Sequence, residues 1–269
     1  MLSLLIKHFK RILTLLIIGA LLAITAYNNK THAQEEYCRF SIQEQFCKYT
    51  VQEKVIDVMQ QRQCEIVIRV GEYSNKPGKR IYLSDVDVHF KDIPKDIKIH
   101  TDSHGAYIHE FDINIKEARA LVQQLKARGV NATLQVADTK AQDLNAAGRI
   151  ANKSNPYIYV SIHHNYYDGN AQGYFAMYNP SDSQSKMIAN RLSNSIADNG
   201  LVKQREPQAN TGYIGELNSL NKSTAGVLLE LGFFSNGSEL KNICSDKYVN
   251  QVSNKLADEL TKILNEQYR

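Results

Sequence analysis

Two rhythms of apolar residues alternate along most of this chain. Ile66-Val67-Ile68 with Val70 is a short apolar run ended by Gly71, which predicts a buried strand. Similar runs predict strands over 130–136, 157–162, 173–178 and 227–231. Between them the apolar positions recur every three or four residues. In 110–128, Ile113, Ala118, Leu121, Val122 and Leu125 share one helical face, and Gly129 supplies the stop. Helices are likewise predicted over 144–153, 181–199 and 248–267. Strands alternating with helices predict an α/β fold: a single domain with a central mixed, mostly parallel sheet flanked by helices. Residues 79–103 interrupt the rhythm with alternating segments (Ile81, Leu83, Val86, Phe90) broken by Pro94, which predicts a hairpin-like insertion. Residues 34–63 are polar, with Val51, Val55, Ile56 and Met59 at helical spacing, and read as an arm or leading helix. The domain itself is assigned to 64–269.

The first 33 residues follow another logic. Lys7, Lys10 and Arg11 precede an apolar run from Ile12 to Ala26, and Thr31-His32-Ala33 offers a small-x-small cleavage site. That is the layout of a secretory signal peptide, and the run of about fifteen residues falls short of the ~20 that span a bilayer comfortably. An uncleaved signal anchor is the alternative; in both cases the body of the protein is exported, to a periplasmic or extracellular location. The basic residues of this segment, Lys30 included, account for the whole formal charge of +4. A near-neutral mature chain gives no basic stripe, so no nucleic-acid partner is expected. The four cysteines (Cys38, Cys47, Cys64, Cys244) all lie in the exported part. An even count in an oxidising compartment favours two disulfides, and the expected pairing is Cys38–Cys47 and Cys64–Cys244. Without a C-x-x-C pair, cysteine-held metal is not expected.

Three polar residues follow apolar strands: Glu72 after 66–71, His163 after 157–162, and Glu230 after Val227-Leu228-Leu229. In open α/β sheets the carboxyl edge of the strands is where ligands bind. Glu110 stands at a helix start, where a carboxylate is favoured by the helix dipole. One histidine and several carboxylates on one edge suit a catalytic zinc, which takes three N/O ligands and leaves a fourth position for water. Each residue also has a structural reading. Glu110 fits a solvated first-turn acid. His163 and His164 point to opposite faces, so one of them reads as a surface histidine. An acid after three apolar strand residues, as at Glu230, is costly unless paired or used.

Ser161-Ile162-His163-His164-Asn165 resembles the S-I-H-x-N motif of the zinc-dependent N-acetylmuramoyl-L-alanine amidases, and Ile150-Ala151-Asn152 resembles their upstream I-A-N. The stretch from Leu228 to Asn236 is similar to their L-x-E-x-G-F-x-S-N segment. Glu110-Phe111-Asp112-Ile113-Asn114 is similar to the start of their first long helix. The resemblance spans about 65–266. It implies zinc held by Glu110 and His163, Glu230 as catalytic acid/base, and as substrate the peptidoglycan amide between N-acetylmuramic acid and L-alanine of the stem peptide. Asn165 and the loop from Arg205 to Glu216 are expected to shape the substrate groove.

The chain departs from that pattern at its first strand, where the family's Gly-His pair becomes Gly71-Glu72. Three readings stay open. Glu72 itself ligates zinc, giving the set Glu72, Glu110 and His163; or His104, or else His100, swings in from the insertion; or metal and activity are lost. The last reading leaves a catalytically inactive protein that binds peptidoglycan or regulates cell-wall hydrolysis. The arginine that the family often carries at the position of Ala147 is also missing, and Arg149 lies two residues later. A zinc peptidase of another kind lacks its usual signature, since no H-E-x-x-H is present.

Overall fold

The computed structural model describes residues 64–72, 78–136, 144–197, 202–212 and 214–268. The signal peptide, the arm and the Cys38–Cys47 pairing lie outside the described residues. The strands are β1 (Ile66–Val70), β2 (Arg80–Tyr82), β3 (His100–Asp102), β4 (Gly105–His109), β5 (Ala132–Gln135), β6 (Ile158–Asn165), β7 (Phe175–Tyr178), β8 (Gln208–Ala209) and β9 (Ala225–Phe233). The helices are α1 (Glu110–Ala127), α2 (Leu144–Asn152), α3 (Ser183–Ser195), α4 (Gly215–Asn218), α5 (Gly237–Cys244) and α6 (Asp246–Gln267). Strand order in the main sheet is β5-β1-β6-β9-β7-β8, with β2-β4-β3 as a separate small sheet. In the main sheet β5, β1, β6 and β9 run parallel, and β7 is antiparallel to β9. The architecture is therefore the mixed, mostly parallel α/β sheet that the alternating rhythms predict.

The two faces of this sheet are unequal. Side chains of a strand alternate between faces, so Ile66, Ile68 and Val70, Ile158, Val160 and Ile162, and Val227 and Leu229 all point one way. They pack with α1, α3 and α6 into the large core. Burying each such side chain is worth about 1.5–3 kcal/mol. The other face holds a small cluster of Cys64, Val67, Ala151, Tyr159, Leu217 and Leu228, contributed in part by α2 and α4. Arg69, Ser161, His163 and Glu230 occupy alternate positions in register with this second face. These polar residues of the strands thus collect on the thinly covered side, while His164 of β6 faces α1.

The same asymmetry corrects one expectation. Cys64 belongs to the small cluster and Cys244 to the large core, so the sheet separates them; both are buried free thiols. Burial pushes the Cys244 thiol up to about 12. No disulfide joins the two.

The insertion is a three-stranded antiparallel sheet with two 3-10 turns, and its last strand, β4, extends beyond 103 and runs directly into α1. It is pinned to the body by Lys116, whose ammonium reaches Asp96 of the insertion at 2.9 Å and Asp246 of α6 at 2.7 Å. The small helices α4 and α5 and the edge strand β8 were not predicted; each is too short to carry a periodic apolar pattern. Among the described residues no helix is long and apolar enough to cross a membrane.

Candidate active site

β1 ends beside β6 because Gly71 allows it. Its N–H donates to the Ile162 carbonyl at 2.8 Å, and a Cβ at this position would lie 2.3 Å from that oxygen. The chain then turns through Glu72 with φ of 61°, the left-handed region that costs a non-glycine residue about 1–3 kcal/mol. That turn directs the Glu72 carboxylate toward Glu110 and His163. Glu110 opens α1, with its N–H donating to the Lys79 carbonyl at the mouth of the insertion. One ligating atom from each of Glu72, Glu110 and His163 lies within 4.8 Å of the others, the only such acid/histidine group among the described residues. The register of β6 against β9 sets Glu230 directly opposite His163.

Hydrogen bonds fix Glu110, His163 and His164. His163 Nδ1 meets Glu110 Oε1 at 2.9 Å, and its Nε2 lies 3.5 Å from Glu216 Oε1. Asn114, one turn along α1, donates to Glu110 Oε1 at 3.1 Å and pairs through its Oδ1 with His164 Nδ1 at 2.8 Å. His164 therefore carries its proton on Nδ1. It is a buried support for the α1 face and not the surface histidine expected; desolvation lowers its pKa to about 3.

The electrostatics follow from burial working against partners. Burial pushes the His163 imidazolium down, but Glu110 and Glu216 outweigh it and hold the pKa well above the ordinary histidine value. Burial raises Glu110, and the His163 hydrogen bond and charge bring it below the ordinary carboxylate value. Glu72 is raised, first by burial and then by the Glu110 charge. Glu230 is raised to about 8, by burial and by the charges of Glu110, Glu72 and Glu216 against the opposing pull of His163. Its Oε2 is shut off from solvent without a hydrogen-bond partner.

Neither insertion histidine joins the cluster, which removes one reading of Glu72. The His104 side chain is 76% exposed at the β3–β4 turn, 3.7 Å from Asp102. His100 Nε2 is taken by Asp112 Oδ2 at 2.9 Å. A groove of about 640 Å³ opens alongside, lined among others by Asn165, Phe175, Arg205, Gln208 and Phe233. Phe175 is the register partner of Glu230, so the groove borders the cluster. The Arg205–Glu216 loop divides in two: Arg205 faces the groove, while Glu216 turns inward to His163. Arg149 is exposed on α2 and does not replace the missing arginine; the guanidinium near the site comes from Arg69 of β1, 3.5 Å from Glu216. Arg69 was overlooked as a site residue, and Glu216 was expected only as the end of a groove-shaping loop. The available signal was a charged residue inside an otherwise apolar strand, Ile66-Val67-Ile68-Arg69-Val70.

A carboxylate-and-histidine cluster at the carboxyl edge of a parallel sheet, beside an open groove, is the layout of an α/β enzyme. The family model described as N-acetylmuramoyl-L-alanine amidase matches residues 97–262. The chain belongs to that amidase family, and the matched span includes Glu110, His163, Glu216 and Glu230. Solved structures agree on the fold. The N-acetylmuramoyl-L-alanine amidase from Clostridium difficile 630 superposes with a TM-score of 0.59 at 21% identity, over 77% of this chain and 99% of that one. The catalytic domain of CwlV, an amidase from Bacillus (Paenibacillus) polymyxa, gives 0.59 at 22%, over 75% and 98%. The amidase AmiC2 of Nostoc punctiforme gives 0.56 at 22%, over 76% and 98%. No curated protein is similar enough in sequence to be matched to the chain.

Proposed function

We propose that the protein is an exported, zinc-dependent hydrolase that cleaves the amide between N-acetylmuramic acid and L-alanine of peptidoglycan stem peptides. The observation that carries this is the convergence of Glu72, Glu110 and His163 within 4.8 Å, with Glu230 opposite His163. Two carboxylates and one imidazole are an acceptable zinc donor set that leaves a position open. Zinc held there supplies polarisation of the scissile carbonyl and acidification of a water. The two acidic ligands leave less positive charge at the centre than a second histidine would. Glu230, opposite His163 and lacking a hydrogen-bond partner at Oε2, is placed to take a proton from water and pass it to the leaving amine, and the positive charge of a bound zinc would favour its ionised form. The left-handed turn at Glu72 and the Asn114 bond to Glu110 orient the two acids. Arg205, stacked 5.4 Å from the Phe233 ring centre, gives the groove a cationic wall suited to an acidic stem peptide.

A second reading, an inactive protein that binds peptidoglycan or regulates cell-wall hydrolysis, is favoured by one observation: both His163 nitrogens face carboxylates. One experiment separates the two. Purified protein is assayed for bound zinc and for free stem peptide released from peptidoglycan, beside Glu230→Ala and Glu72→His. Stoichiometric zinc and product that disappears in Glu230→Ala are expected. No zinc and no product, with retention on peptidoglycan and zinc restored by Glu72→His, would establish the second reading.

A further inference from the structure

Glu216 is 6% exposed, on the second face of the sheet beneath His163. Both of its oxygens are engaged. The Tyr159 hydroxyl donates to Oε2 at 2.9 Å, the Arg69 guanidinium stands 3.5 Å from the same oxygen, and Oε1 faces His163 Nε2 at 3.5 Å. The short helix that carries it is held firmly. Asn210 accepts from the Ile214 N–H at 3.2 Å and pairs with Asn218 at 3.0 Å, and Asn152 donates to the Ser219 carbonyl at 2.8 Å. α2 comes so close that a Cβ on Gly148 would sit 2.3 Å from the Glu216 carbonyl. A buried carboxylate is tolerated only with a paired charge and good hydrogen bonds, and Arg69 and Tyr159 provide them from β1 and β6.

We infer that Glu216 is a positioning residue of the site: it holds the proton of His163 on Nε2, so that a bound cation would meet the ring at Nδ1, the nitrogen that faces Glu110. The argument is one of donor and acceptor roles. An ionised carboxylate only accepts, so without a cation both ring nitrogens carry hydrogen, Nδ1 toward Glu110 and Nε2 toward Glu216; a cation held between Glu72, Glu110 and the ring would take the place of the Nδ1 proton, while Glu216 keeps the Nε2 proton. Nδ1 lies 2.9 Å from Glu110 Oε1, inside the Glu72–Glu110–His163 cluster. An orienting carboxylate behind a ligating histidine sets its tautomer and raises its basicity. Arg69 and Tyr159 keep Glu216 in place, so a residue deep in β1 acts on the site through two intermediates. This inference rests on the zinc reading above.

Zinc affinity of the full protein, measured by competition with a chromogenic chelator, tests it in Glu216→Ala and Glu216→Gln. Folding is followed by circular dichroism, and the His163 ring by ¹⁵N NMR with ¹¹³Cd in place of zinc. Glu216→Ala is expected to weaken zinc about 10–100-fold, Glu216→Gln by less. Cadmium coupling is expected at Nδ1 in the native protein, with mixed ring tautomers in Glu216→Ala. A folded Glu216→Ala that binds zinc within about twofold of the native protein, or cadmium coupled to Nε2, would overturn the inference while leaving the zinc reading intact. If Glu216→Ala does not fold, unchanged affinity and an unchanged ring spectrum in Glu216→Gln overturn it instead. Native protein that binds no zinc at all overturns the zinc reading itself, and this inference with it.

Discussion

Two carboxyl groups among the described residues are buried with oxygens that find no hydrogen bond, and they sit on opposite sides of the same sheet. Glu230 projects from β9 on the thin face, where Glu110, Glu72, Glu216 and His163 all act on it. Glu117 projects from α1 into the large core, with neither oxygen partnered and Lys116 as the one charge that shifts it appreciably. Burial is the largest cause of the raised pKa in both. For Glu117 the shift is a cost to folding with nothing beside it to use the proton. For Glu230 the same desolvation stands next to a groove and a cluster of ligating atoms. A perturbed acid therefore marks a functional site only when its neighbours give the proton somewhere to go.

The same substitution, carboxyl to amide, tests both sides of that contrast. Glu230→Gln should lower kcat for release of stem peptide about 10²–10⁴-fold while bound zinc and the melting temperature are kept. Activity within a few-fold of native would end the comparison. Glu117→Gln should leave activity unchanged and alter stability instead. The Glu117 pKa is raised in the folded state, so the unfolded chain releases this proton first. Native stability must then fall as pH rises above the unfolded value of 4.5, by up to about 1.4 kcal/mol per pH unit from this one group. Chemical denaturation at pH 4 and pH 8 should find the two proteins alike at pH 4 and Glu117→Gln the more stable at pH 8. A smaller effect is expected at His164, the buried support behind Asn114. His164→Leu leaves Asn114 Oδ1 without its donor and should cost about 1–3 kcal/mol of stability, with zinc binding retained. Loss of zinc in that variant would mean that the large-core face contributes more to the site than the geometry indicates.

Glu110, His163 and Glu230 were legible in the sequence because each adjoins an apolar pattern that it breaks: Glu110 at a helix start, His163 and Glu230 directly after apolar runs, although both lie inside β6 and β9 and not at their ends. The sheet was legible for the same reason, and its strands came out slightly longer or shorter where β6 and β9 carry their apolar pattern past the polar residues. Glu216 and Arg69 were not recognised, because their roles exist only once β1, β6 and α4 are packed on one face. They lie far apart in the chain, and nothing local pairs them. The Cys64–Cys244 expectation failed for a related reason. Counting cysteines says nothing about which face of a sheet each one occupies, and here the sheet stands between them. The insertion was recognised as an interruption, but its three-stranded form depends on β4, whose Gly105–His109 segment adjoins the helix start and carries one fully buried apolar residue, Ile108.

The insertion has a topological consequence. Along the sequence it lies between Glu72 and Glu110, so the two acids of the cluster flank one excursion of the chain. A cation gripped by both would act as a clasp across the neck of that excursion, closing it into a ring in the way a covalent cross-link does. Stripping the cation with a chelator should then be visible far from the chemistry, as faster proteolytic nicking of residues 79–103 at unchanged cleavage elsewhere. The insertion would thus report, by its resistance to proteases, whether the clasp is shut.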